Sequence, residues 1–107
     1  MMSKYNTEID DKIILTNLKR LINQIYKLLP NREEGIDWST PLSTIIEEIA
    51  GMRALFDENL GPDTLSLLSK LEGLKTLDTE EDFFNFRRTI FECLNLMNKV
   101  KDYVEFR

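Results

Sequence analysis

Apolar residues along this chain recur every three or four positions, the period of amphipathic helices packed against a core. Ile14, Leu18, Leu21, Ile25 and Leu28 form one stripe, and Leu15, Ile22 and Leu29 a second seam beside it. They predict a helix over about residues 7–29, with Glu8, Asp10 and Asp11 in its first turns and Lys27 in its last, as the helix dipole favours. Pro30 is its expected stop. After a loop holding Gly35 and the single tryptophan, Trp38, Thr40 and Pro41 read as N-cap and first helical residue of a second helix. That helix covers about residues 40–60, with Leu42, Ile45, Ile46, Ile49, Met52, Phe56 and Leu60 inward; Gly61-Pro62 ends it, glycine taking a left-handed cap. A short third helix follows over about 62–72, with Leu65, Leu68 and Leu71 inward and Gly73 closing it. Asp78 or Thr79 caps a fourth helix reaching about Val104, with capping-box spacing between Asp78 and Glu81.

Valine occurs only at Val100 and Val104 and alternating runs are missing, so strands are not expected. Short connections make sequential helices antiparallel neighbours, and the predicted fold is an all-α, up-down four-helix bundle with a short third helix. The 107 residues read as a single domain, long enough to bury a core without disulfide or metal. The short third helix leaves apolar interior to be covered, either by Leu74 and Leu77 or by another chain.

The fourth helix is wider in its apolarity than one core contact needs. Phe83, Phe86, Ile90, Leu94, Met97 and Val104 make the core stripe, Phe84 and Phe91 widen it on one side, and Cys93 and Val100 on the other. Leu96 and Tyr103 fall outside even that arc and are expected to be exposed in a simple bundle. Two readings follow: a helix central to its own fold, or a seam for a protein partner or a second copy of the chain. Trp38 is expected to lie over Leu42 as a lid on the open end of the bundle, or, if exposed, to anchor an interface. Candidate interface residues are therefore Trp38, Phe84, Phe91, Leu96 and Tyr103. Gly51, inside a helix, suggests close approach of a neighbouring helix.

Composition narrows the chemistry. The chain has no histidine and one cysteine, which removes histidine-based triads and the usual histidine-containing metal centres. Its four glycines are scattered at 35, 51, 61 and 73, so there is no phosphate-cradling loop. Cys93 flanks the core stripe and reads as a buried inert thiol. A net charge of −5 with interspersed signs argues against nucleic-acid binding. The first dozen residues lack an apolar leader, no apolar run approaches the ~20 residues of a membrane span, and a lone cysteine fits a reducing compartment. No membrane association and a cytoplasmic location are expected.

Two arginines, Arg53 and Arg87, stand where leucines belong in their stripes. Each either extends past the core edge into water or pairs locally, Asp10 or Asp11 being the natural partner of Arg53, or receives an acidic group from a ligand or partner. Glu47-Glu48-Ile49-Ala50-Gly51 resembles the start of the E-E-x-x-E metal pattern of MazG-type nucleotide pyrophosphohydrolases, with glycine where the third acid belongs. The later E-x-x-D pattern is missing, since Glu80 and Glu81 are followed three positions on by Phe83 and Phe84. A metal-dependent hydrolase using Glu47, Glu48, Glu80, Glu81 and Asp82 is thus the weakest of three readings. The leading expectation is a non-enzymatic adaptor, inhibitor or regulator acting through an apolar helix face, with no cofactor; the alternative is a self-associating bundle.

Overall fold

A computed structural model describes the backbone of residues 2–52 and 61–106, and the side chains of 11–52 and 61–106. It contains α1 (Met2–Glu33), α2 (Ser39–Met52), α3 (Gly61–Leu74), a single 3₁₀ turn (Glu80–Asp82) and α4 (Phe83–Phe106). The predicted continuation of α2 over 53–60, including Arg53, Phe56 and Leu60, lies outside the described residues. The helices form a ring in which each packs on its sequence neighbours and α1 closes on α4. Ion pairs fix the sense of packing. Arg20 of α1 meets Glu48 of α2 at 2.6 Å, while Lys70 and Asp63 of α3 meet Glu92 and Lys99 of α4 at 3.2 and 3.5 Å. Rising numbers on one helix thus meet falling numbers on the next, which is the up-down four-helix bundle.

The core follows the stripes. Ile14, Leu18, Leu21, Ile25 and Leu28 of α1 are all buried, as are Leu42, Ile45, Ile46 and Ile49 of α2. From α4 come Phe86, Ile90, Cys93, Met97, Val100 and Val104. Each such side chain contributes roughly 1.5–3 kcal/mol of transfer free energy. Leu74, the last residue of α3, is buried, and Leu77 of the following loop is half-buried against the core, so both cover interior next to α3.

Several boundaries differ from the sequence reading, each for a local reason. Helix α1 begins earlier than residue 7 and passes through Pro30. Proline removes the donor that the Tyr26 carbonyl would use, but its own carbonyl still accepts from Glu34 N–H at 3.0 Å. The helix stops instead at Gly35, whose φ is +74°. Ile36 N–H donates to the Asn31 carbonyl (2.8 Å) and Gly35 N–H to that of Arg32 (3.3 Å), the two bonds of a Schellman cap. The α2 cap is Asp37, not Thr40. Its carboxylate accepts from the amides of Ser39 (3.1 Å) and Thr40 (3.4 Å) and from the Ser39 hydroxyl.

Gly61 is the first residue of α3 rather than a left-handed cap, and α3 runs on to Leu74 through Gly73. Its inward residues are Thr64, Leu67, Leu71 and Leu74, rather than Leu65, Leu68 and Leu71; Leu65 is exposed and Leu68 half-buried. Before α4, Thr79 donates its hydroxyl to the Asp82 carboxylate at 2.9 Å, in place of an Asp78–Glu81 capping box. Gly51 has no close neighbour: a Cβ built there meets nothing within 4 Å.

Candidate functional site

The end of α1, the approach to α2 and the start of α4 meet around one cation. Arg32, just past Pro30, reaches across to the α3–α4 loop, where its Nη2 donates to the carbonyls of Leu77 (2.9 Å) and Thr79 (2.6 Å). Its guanidinium carbon lies 4.7 Å from the ring centroid of Phe86, 5.2 Å from Phe83 and 6.0 Å from Trp38. Trp38 in turn meets Phe86 edge-on, with centroids 5.0 Å apart and planes at 75°. A planar cation stacks on rings and forks two carbonyls at once, which an ammonium does not. The cluster therefore knots together the loop end of the bundle, and Trp38 is a half-buried part of it. The Arg32 Nε–H is buried and meets no acceptor among the described residues.

Beside this knot, between α1 and α4, runs a shallow groove of about 470 Å³. Tyr26, Leu29, Pro30 and Glu33 form its α1 wall, and Phe83, Arg87 and Phe91 its α4 wall. Phe84 stands seven residues before Phe91, on the same face of α4. Phe84 is 71% exposed, Tyr26 56% and Phe91 42%. Arg87, between the two phenylalanines, is exposed and holds its guanidinium 5.6 Å from the Phe91 ring. Of the sequence candidates, Phe84, Phe91 and Arg87 thus share one surface, and Tyr26 joins them from α1.

Leu96 and Tyr103 do not. Both are half-buried against the core on the α3 side of α4, contrary to their expected exposure. Leu96 lies between Glu92 and Lys99, whose ion pairs to Lys70 and Asp63 draw α3 over it. Arg53 lies outside the described residues.

The acidic candidates are dispersed. Glu48 is paired with Arg20, while Glu80–Asp82 form the 3₁₀ turn before α4. Among the described residues no three His, Cys, Asp or Glu side chains gather as a metal site, and no helix is long and apolar enough to cross a membrane. Burial pushes the Cys93 thiol up to about 12, with Lys70 opposing and Glu92 adding to that rise, so at neutral pH it is protonated and unreactive. A larger, open groove of about 550 Å³ between α1 and α2 is lined by Gln24, Lys27, Asn31, Asp37 and Thr44 among others. The Thr40 hydroxyl and amide, then those of Ser39, hold Asp37 below its ordinary value, so its carboxylate serves as a cap.

No protein-family model, characterised protein or solved structure matches this chain.

Proposed function

We propose that the chain is a non-enzymatic protein–protein interaction module that engages its partner through the α1–α4 face. The observation that carries this reading is the exposure of Tyr26, Phe84 and Phe91 on one surface. Together they present on the order of 300–400 Å² of aromatic surface, given the ~150–250 Å² such side chains bury when covered. Aromatic residues with an arginine among them are the side chains that anchor interfaces. The rest of the molecule supports the same view. Among the described residues the cysteine is buried, the carboxylates are dispersed, and the half-buried Arg32 is occupied in holding a loop.

Site-specific photo-crosslinking in the cells that make the protein tests it. A benzophenone side chain replacing Phe84 or Tyr26 should give discrete higher-mass adducts, whereas one at exposed Ser69 of α3 should not. Equal labelling at all three positions, or none at any, would show that this face is not the contact surface.

A further inference from the structure

We infer that the α1–α4 face takes an acidic segment of a partner protein, one that sets carboxylates on its cations and bulky apolar side chains on its rings. This inference rests on the reading of that face as an interaction surface and gives its occupant a chemistry. The observation that carries it is the distribution of charge along the two helices.

Residues 12–32 of α1 include five Lys or Arg and no Asp or Glu, and residues 83–91 of α4 include two and none. Half of the chain's 14 cations and none of its 19 acids thus fall on these two stretches, in a chain whose net charge is −5. Three of the cations are engaged elsewhere. Arg20 pairs with Glu48 of α2, Arg32 secures the α3–α4 loop, and Lys27 lines the α1–α2 groove. The other four, Lys12, Lys19, Arg87 and Arg88, are exposed and, among the described residues, make no ion pair.

Their spacing places them among the rings. Lys12, Lys19 and Tyr26 are seven residues apart and so share one strip of α1, in steps of about 10 Å. Arg87 and Arg88 follow Phe84 by three and four positions and precede Phe91 by four and three, the spacings of neighbours on a helix surface. An incoming carboxylate takes these cations without displacing an acid they already hold, and a guanidinium offers it a two-pronged hydrogen bond. Apolar side chains beside that carboxylate meet Phe84, Phe91 and Tyr26.

Glu33 decides what kind of anion fits. It is the one carboxylate lining the groove, and it faces the loop end, where Arg32 reaches the Thr79 carbonyl next to Glu80 and Glu81. A phosphodiester chain or an anionic bilayer carries its charge evenly and would press against these acids. A peptide places its carboxylates over Lys19 and the arginines and keeps neutral residues at the loop end.

Selection from a random-peptide phage library on the immobilised full chain tests this, with Phe84→Glu/Phe91→Glu as the counter-selection. Enriched peptides should be net negative and carry large apolar residues. Synthetic copies should bind wild type in fluorescence anisotropy, and Lys19→Glu and Arg87→Glu, each shown to be folded by circular dichroism, should weaken that binding about tenfold. Neutral or basic peptides, no enrichment at all, or an affinity indifferent to either charge reversal would overturn the inference. So would a labelled oligothymidylate or phosphatidylserine vesicles that bind wild type and are lost with Arg87→Glu, or a wild-type dimer in light scattering that Arg87→Glu dissociates. Benzophenone at position 84 separates this inference from the reading beneath it. A crosslinked partner segment rich in Lys and Arg ends the acidic assignment and leaves the interaction face standing, whereas no crosslink ends both.

Discussion

At the scale of single residues, Arg32 does the most that the sequence does not announce. The four-three stripe through Ile25 and Leu28 falls next on position 32, but Arg32 lies two positions past a proline expected to end its helix, and that expected stop hid it. Arg87, which the pattern does mark, turns out to be a surface residue over Phe91. The difference is tertiary: Arg32 is exceptional only because α4 brings Phe83 and Phe86 to it and the α3–α4 loop offers two carbonyls. Hydrogen bonds from a charged donor and a desolvated cation–π contact are each worth on the order of 1–3 kcal/mol. Arg32→Ala should therefore cost about 2 kcal/mol in urea denaturation. Arg32→Lys should recover less than half of that loss, because one ammonium does not replace a planar fork. Full recovery by lysine would mean that charge alone, rather than the fork, secures the loop.

At the scale of elements, two glycines in similar-looking contexts have opposite meanings. Gly35 ends α1 at a φ of +74°, whereas Gly51 sits exposed in α2 with open space where a Cβ would go. The same substitution should consequently act in opposite directions. Gly35→Ala should destabilise by about 1 kcal/mol, through the left-handed backbone an L side chain resists. Gly51→Ala should stabilise by a similar ~1 kcal/mol, by removing backbone entropy from the unfolded chain. Thermal melts of the two variants, run side by side, check both; two shifts of the same sign would contradict the assigned backbone. The existence and order of the helices were legible from periodicity and turn residues. Their ends were less so, because caps depend on specific hydrogen bonds. Pro30 removes one donor without stopping a helix that still finds Asn31, Arg32 and Gly35 for its cap. The inward phase of α3 was open in the sequence, because Leu65, Leu68 and Leu71 and Leu67, Leu71 and Leu74 both keep helical spacing, and packing against α2 and α4 selects the second set.

At the scale of the whole molecule, the width of the α4 stripe resolves into three directions. Phe86, Ile90 and Met97 point to the common core, Leu96 and Tyr103 tuck under the α3 side, and Phe84 and Phe91 emerge beyond α1. A helical wheel shows the arc but not which neighbours cover its two edges, and that is why part of the candidate face was visible in the sequence and its α1 half, Tyr26, was not. The division makes a sharp energetic contrast between aromatics two to five residues apart. Phe86 is wholly buried against Trp38 and Arg32, so Phe86→Ala should cost about 3–5 kcal/mol through lost transfer free energy and the cavity left behind. Phe84→Glu/Phe91→Glu should change unfolding free energy by less than about 1 kcal/mol, as exposed substitutions do. The comparison separates fold from function in one denaturation series. If the double variant were as damaging as Phe86→Ala, the phenylalanines would belong to the core, and the face between α1 and α4 would keep only Tyr26 as aromatic surface to offer a partner.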